Sequence, residues 1–220
     1  MKNLFVVTVI ASLVFACNPK SADEAKTGEA KKAGAASGAV YELAADGSVV
    51  HWRGTKPGGE HHGVVSVTEG KVMVDNGAVT GGSITIDLTS IEDFDLEGDM
   101  NARLVGHLKS EDFFYTEEYP NAVFQIVSVE AKEGVAPEGG VKPTHEITGN
   151  LAMRGVTKSI TFPAAITVTD GKLEAKTNEF AINRTLWGVN FKSKTVFAEF
   201  KDDFIGDMIN LKFDVEFKKN

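Results

Sequence analysis

Apolar and polar side chains alternate along most of the chain from residue 40 onward. The segment 209–217 is the clearest case, because its odd-numbered positions are all apolar and its even-numbered positions all polar. The same period of two recurs over residues 84–88, 147–153 and 160–168, and further strands are predicted over 49–54, 63–74, 122–130 and 172–184. Parallel sheets bury both faces of their strands, so this alternation indicates an antiparallel sheet.

Turn-forming residues separate these segments. Asn76-Gly77 and Asp170-Gly171 are residue types that tolerate the positive φ angles of tight hairpins, and Gly81-Gly82 inside a strand pattern is typical of a β-bulge. About eight strands with local connections predict an all-β fold, either a closed antiparallel β-barrel or a tight sandwich.

Two stretches interrupt the strand pattern. Residues 99–110 place Met100, Leu104 and Leu108 at helical spacing, which predicts a short inserted helix with Asp99 as its N-cap. Residues 135–143 are rich in proline and glycine and predict a solvent-exposed loop.

The N-terminus carries an export signal. Lys2 precedes an uncharged, mostly apolar run over residues 4–15, whose helical length of about 18 Å is too short for a hydrocarbon core of about 30 Å. Residues 1–16 are therefore predicted to be a signal peptide.

The run ends in Val14-Phe15-Ala16-Cys17, which resembles the lipobox of bacterial lipoproteins. Cys17 would then be lipidated and would attach the protein to a membrane of the cell envelope; the alternative is an ordinary signal peptide with an incidental cysteine.

The next stretch predicts a tether. Residues 18–38 contain no aromatic or large aliphatic side chain, so they bury little apolar area to offset the entropy of ordering. Residues 17–39 are accordingly predicted to be the lipidated cysteine and a flexible linker, and residues 40–220 a single domain. Because Cys17 is the only cysteine, that domain has no disulfide to stabilise it.

Charge and motifs exclude several functions. The net charge of −8 and the absence of a basic stripe argue against nucleic acid as a partner. The sequence contains no serine elbow, no usable cysteine nucleophile and no glycine-rich phosphate loop, so neither catalysis nor a cofactor is expected.

Four segments together resemble one family, the YceI-like proteins of the bacterial periplasm. They are HLKSEDFF (residues 107–114), YPNAVF (119–124), RGVTK (154–158) and FAINRTLWGV (180–189). The resemblance covers about residues 40 to 218. It implies an extended eight-stranded, lipocalin-like antiparallel β-barrel with a long apolar tunnel that binds isoprenoid lipids, such as isoprenoid quinones or polyprenyl phosphates.

Aromatic side chains are the candidates to line that tunnel, since an eight-stranded barrel has room for side chains or for one ligand. For each of them, plain core packing is the alternative. The predicted lining residues are Trp52, Phe113, Phe114, Phe124, Phe162, Phe180 and Phe213.

Polar residues near the tunnel are candidates for the ligand's head group: His62, Asn183 and Arg184. A guanidinium could hold a phosphate or a quinone carbonyl. The alternative is a structural arginine that pairs with a carboxylate such as Asp87 or Glu199.

The histidines allow a second interpretation of the function. Adjacent strand residues point to opposite faces, so His61 and His62 cannot easily share one metal, although His62 could combine with His107 or His145. The sequence therefore favours a lipid-anchored isoprenoid-binding protein that carries, stores or sequesters its ligand. The alternative is a metal-dependent or redox enzyme that uses His62, His107 and Arg184 on an apolar substrate. The sequence does not decide whether the protein forms a homodimer.

Overall fold

The structure is a computed structural model that describes residues 22–197, 199 and 203–220. The predicted signal peptide and Cys17 lie outside these residues. One α-helix, α1 (Gly98–Lys109), and two short 3₁₀ turns, Leu88–Ser90 and Arg184–Trp187, accompany the strands. The strands are β1 (Asp23–Glu24), β2 (Lys26–Glu29), β3 (Ala39–Leu43), β4 (Val49–Lys56), β5 (Gly59–Asp75), β6 (Ala78–Asp87), β7 (Glu92–Asp93), β8 (Asn121–Ala131), β9 (His145–Met153), β10 (Val156–Val168), β11 (Lys172–Lys176), β12 (Phe180–Asn183) and β13 (Met208–Lys219).

Eight strands form a closed ring. Each pairs antiparallel with the next in the order β4, β5, β6, β8, β9, β10, β11 and β13, and β13 pairs back to β4. The prediction of an all-β, eight-stranded antiparallel fold with one inserted helix is confirmed. The single strand predicted over 172–184 is instead two strands, β11 and β12, which pair with different parts of β13.

Local turn chemistry follows the sequence in most places. Asn76 and Gly77 adopt φ angles of 49° and 80° between β5 and β6, as the hairpin prediction requires. The register of the same strands shifts beside Gly81, which confirms the bulge. The N-cap prediction is wrong: Glu97 is the N-cap and its side chain makes no capping bond, while Asp99 lies in the first turn.

The inward row of β13 shows how the ring is filled. Phe213, Val215 and Phe217 are buried, whereas Ile209 and Leu211 are only partly buried and line a cavity. One end of the ring is therefore packed with side chains, and the other end is open enough to hold a ligand.

The flexible-linker prediction is wrong from residue 22 onward. β1 pairs parallel with β12, and β2 pairs antiparallel with residues 158–161 of β10. Ala25, between them, is 4% exposed and donates its N–H to the carbonyl of Ala181 at 2.9 Å. Residues 22–37 are here called the N-terminal strap. Its first two strands, β1 and β2, lie between β12 and β10 and pair with them.

The strap is held by backbone hydrogen bonds, which explains why composition did not reveal it. Asn150 exchanges two bonds with the backbone of Lys31, at 2.9 and 2.7 Å, and the N–H of Ser37 donates to Thr80 Oγ1 at 3.1 Å. Open strand edges need partners for their N–H and C=O groups, and any sequence without proline can supply them. No helix in the described part of the chain is long and apolar enough to cross a membrane.

Candidate ligand-binding cavity

The open end of the ring encloses a cavity of about 450 Å³. Its wall is built mainly from aliphatic and aromatic side chains of the ring strands, of α1 and of the segment that precedes β13. This size lies within the range of small-molecule sites, about 300–1,000 Å³, which are typically apolar with a few placed polar groups.

Four of the predicted lining residues lie on this wall: Trp52, Phe113, Phe114 and Phe213. Phe124 and Phe162 surround a second cavity of about 60 Å³ nearer the packed end, and Phe213 borders both cavities. Phe180 lines neither of the two. The prediction therefore found the inward aromatic residues, but only some of them face the larger space.

A layer of phenylalanines separates the two cavities. The ring of Phe162 stacks on that of Phe180 with centroids 4.4 Å apart, and Phe213 lies nearly parallel to both at 5.7 and 5.9 Å. Phe124 leans on Phe162 and Phe213 at 5.6 and 6.0 Å. The interior is thus divided, in place of the single long tunnel that the resemblance implied.

The helix and the segment after it form one side of the cavity. Leu104 and Leu108 of α1 face inward, as their spacing predicted, and Phe113 and Phe114 follow the helix. Arg154 donates to the carbonyl oxygens of Glu111, at 2.7 Å, and of Phe113. Two of the segments that carried the family resemblance therefore meet here, because the arginine of RGVTK fixes the backbone of HLKSEDFF.

Arg184 reaches the cavity wall, but four of its five guanidinium N–H donors are already used. It is 1% exposed, and its Nη2 lies 3.6 Å from Asp207 Oδ1. Burial lowers the pKa of Arg184, and the carboxylate of Asp207 opposes that shift. All three guanidinium nitrogens donate to backbone carbonyl oxygens, at 2.6–3.0 Å: those of Val189, Phe191, Ile205 and Gly206. This arrangement favours the structural alternative, with Asp207 in place of Asp87 or Glu199 as the carboxylate.

The other head-group candidates lie away from the cavity. Asn183 Oδ1 accepts from the N–H and hydroxyl of Thr185, at 3.0 and 2.8 Å, and so caps a 3₁₀ turn. The side chain of His62 is 51% exposed on an outer groove. Neither residue is among those that line the larger cavity.

Other polar groups at the cavity wall include two lysines that were not among the head-group candidates, and the histidines His61 and His107. Lys56 and His61 flank the β4–β5 hairpin, and Lys192 forms an ion pair with Asp203. The sequence could have placed Lys56 near His61, because the Pro57-Gly58 turn between two predicted strands brings the ends of those strands together.

The histidines separate as the alternation predicted. His61 lines the cavity and His62 the outer groove. His107 pairs with Asp112 at 3.0 Å and packs edge-on against Phe113, while His145 lies beside Thr144. Within the described residues, His62, His107 and His145 do not come together, so the enzyme alternative lacks the metal site it assumed.

His61 instead meets two aspartates. Its Nδ1 lies 2.8 Å from Asp95 Oδ2, and Asp93 lies in the same cluster. Burial, and then the neighbouring carboxyl of Asp95, raise the pKa of Asp93. Burial works to raise the pKa of Asp95 too, but hydrogen bonds from the His62 N–H and from His61 outweigh it and lower that pKa to about 2.

Comparison with known proteins identifies the family. A model of the YceI-like domain matches residues 41–217. The chain belongs to the YceI-like family. It is 30% identical to a UPF0312 protein of Pseudomonas putida over 135 residues, which are 60% of this chain and 64% of that protein. It is 36% identical to Protein YceI of Escherichia coli over 84 residues, 38% of this chain and 36% of that one. The chain thus spans less than two thirds of these relatives.

Two solved structures share the fold. BcnA of Burkholderia cenocepacia superimposes with a TM-score of 0.56 at 21% identity, over 79% of this chain and 98% of BcnA. A polyisoprenoid binding domain from Saccharophagus degradans, implicated in plant cell wall breakdown, gives 0.56 at 14% identity, over 82% and 98%. At these identities the likeness concerns the fold alone.

Proposed function

We propose that this YceI-like protein binds the hydrocarbon tail of an isoprenoid lipid in its larger cavity and does not transform it. The observation that carries the proposal is the cavity itself, about 450 Å³ of space with a mainly apolar wall and few charged groups. Apolar burial contributes about 25 cal/mol per Å², so such a site favours a hydrocarbon chain over a polar metabolite. The polyisoprenoid binding domain from Saccharophagus degradans, which has a similar fold, supports the same ligand class.

The charged residues at the wall suit a polar head group better than Arg184 does. Lys56 and Lys192 offer ammonium groups, and the Lys56 Nζ lies 3.0 Å from His61 Nε2. Lysine binds phosphate as a point charge, and it also donates to a neutral carbonyl oxygen. Both head groups implied by the family, the quinone and the phosphate, therefore remain compatible with this wall.

We further propose that Cys17 is lipidated and that the protein works at an envelope membrane as a carrier, store or sink for its ligand. The strap's first strand begins at Asp23, six residues after Cys17. Six residues span at most about 20 Å, so a lipid on Cys17 would keep the domain close to the bilayer surface. That proximity favours the exchange of a lipid that is itself poorly soluble in water.

The proposal is tested by purifying the protein from membranes and identifying bound lipid by native mass spectrometry and extraction. Leu104→Trp fills the cavity from α1 and should lower the amount of bound prenyl lipid. Met100→Trp is the matched control, because Met100 lies on the same helix and is 64% exposed. A wild-type protein that carries no prenyl lipid, or a Leu104→Trp variant that carries as much as the control, would contradict the proposed function.

A further inference from the structure

We propose that His61, Asp93 and Asp95 form a binding site for a divalent transition-metal ion such as Zn²⁺ beside the cavity. Each of the three offers one ligand atom, and these atoms lie within 4.8 Å of one another. Nitrogen from imidazole and oxygen from carboxylate suit Zn²⁺ and its neighbours, whereas Mg²⁺ and Ca²⁺ prefer oxygen alone. This inference does not depend on the lipid ligand.

The backbone brings the three residues together from two segments. β7 pairs antiparallel with β5, and its residue Asp93 lies opposite Gly63. That approach requires glycine, because a Cβ at position 63 would lie 1.8 Å from the carbonyl oxygen of Glu92. The N–H of His62 then donates to Asp95 Oδ1 at 2.9 Å, which fixes the loop after β7.

The strongest sign of a missing partner is Asp93. It is 6% exposed, and its Oδ2 is buried with no hydrogen-bond partner among the described residues. The other oxygen, Oδ1, accepts from the N–H of Leu96 at 2.9 Å and from Asn101 Nδ2 at 3.3 Å. A buried carboxylate oxygen without a partner is costly, and a cation would supply one.

The geometry needs only small adjustments to hold an ion. Two atoms bound to one Zn²⁺ lie at most about 4 Å apart, since each bond is about 2.0–2.2 Å. The 2.8 Å between His61 Nδ1 and Asp95 Oδ2 already meets that limit. All three ligand atoms lie within 4.8 Å of one another, so the pairs that include Asp93 have to approach by about 1 Å at most. His61 Nδ1 is the nitrogen that faces the carboxylates. A metal ion on Nδ1 requires the imidazole proton on Nε2, so the Lys56 ammonium, now 3.0 Å from Nε2, has to turn away when the ion binds.

Three protein ligands leave at least one coordination position for water or for a ligand oxygen. His61 also lines the cavity, so the ion would lie at its wall. Neighbouring Trp52 donates its indole N–H to the Glu92 carbonyl at 3.1 Å, and the only other tryptophan, Trp187, is fully buried elsewhere. Fluorescence from Trp52 therefore provides a local signal for occupancy.

The test measures Zn²⁺ uptake by the full chain after chelation, with equilibrium dialysis and Trp fluorescence, beside Mg²⁺ as a comparison ion. One equivalent should bind, with Zn²⁺ preferred. His61→Gln and Asp93→Asn should each weaken binding more than about tenfold. His145→Gln is the matched control and should bind as the wild type does, because His145 lies beside Thr144 at the start of β9 and not in the cluster.

Two further measurements show whether a loss of Zn²⁺ binding reflects the loss of a ligand, the loss of the fold or binding by the Cys17 thiol. Melting curves show whether Asp93→Asn still folds; if it does not, His61→Gln, whose side chain is 21% exposed, carries the test. The same titration with Cys17→Ser excludes an unlipidated thiol as the ligand. No saturable Zn²⁺ uptake, or uptake that survives both His61→Gln and Asp93→Asn, would overturn the site and leave a hydrogen-bonded cluster only. Bound lipid is measured separately, so the two proposals fail independently.

Discussion

From the phenylalanine layer we predict that one residue, Phe213, limits the length of the isoprenoid chain that the proposed ligand can have. Among the residues that the structure describes, Phe213 alone borders both the 450 Å³ and the 60 Å³ cavity. Phe213→Ala should join the two spaces. Phe180→Ala is the matched control, since Phe180 belongs to the same stack, is 2% exposed and lines neither cavity.

The two variants should differ in stability. Phe→Ala at a packed core position costs about 3–5 kcal/mol, from lost burial and from the void that remains, and Phe180→Ala should fall in that range. Part of the Phe213 ring borders existing empty space, and only the part that contacts the other phenylalanines loses packing, so about 2–3 kcal/mol is expected. Urea unfolding at equilibrium measures both values, and the slope of the transition shows whether the unfolding remains two-state.

The two variants should also differ in ligand preference. Each buried methylene contributes about 0.8 kcal/mol, so one more five-carbon isoprene unit adds at most about 4 kcal/mol before the cost of ordering it. A gain of at least about tenfold, or 1.4 kcal/mol, is expected for the longer of two isoprenols in Phe213→Ala. Competition between isoprenols that differ by one unit provides the assay. The reasoning is refuted if Phe180→Ala shifts the preference equally, or if Phe213→Ala leaves it unchanged while the protein stays folded.

Three further predictions test other parts of the molecule. Arg184→Gln should lower stability by about 3 kcal/mol or more, because it leaves the buried Oδ1 of Asp207 without a cation and removes donors from buried carbonyl oxygens; weakened binding of a prenyl phosphate alone, at an unchanged melting temperature, would contradict this. Cys17→Ser should move the protein from membranes to the soluble fraction, and retention after a salt wash would exclude the anchor. Ala25→Pro should remove the bond to Ala181 and speed amide exchange in β12, whereas Ala35→Pro, at an exposed position, should not.

The ring was predictable because period-two alternation is a direct consequence of strand geometry. A residue at position i faces the same side as i + 2, so Phe213, Val215 and Phe217 had to share the interior. The same rule places His61 and His62 on opposite faces of their strand, which is where they lie. Alternation does not distinguish a residue that lines a cavity from one that packs a core, since both face inward. For that reason the sequence predicted Phe180 to line the cavity, whereas Phe180 packs in the core.

Partners that are distant in sequence and held through the backbone were not predictable. The strap has no apolar pattern, yet its N–H and C=O groups complete the edges of β10 and β12. Composition reports only what side chains can bury, so it describes these residues as a linker. The Asp93–His61 cluster is hidden from the sequence in a similar way, because it depends on the short pairing of β7 with β5 opposite Gly63.

The segment between the Arg184 turn and β13 shows what holds an arginine at the cavity wall. Its described residues contribute to that wall, and the carbonyl oxygens of Val189, Phe191, Ile205 and Gly206 face the guanidinium. Those oxygens lack ladder partners, so within a mainly apolar wall they need another donor. One guanidinium donates hydrogen bonds to all four oxygens from a single buried side chain, and Asp207 compensates its charge. A lysine has one nitrogen and could not reach acceptors spread over both ends of the segment. The cation therefore stabilises this part of the cavity wall.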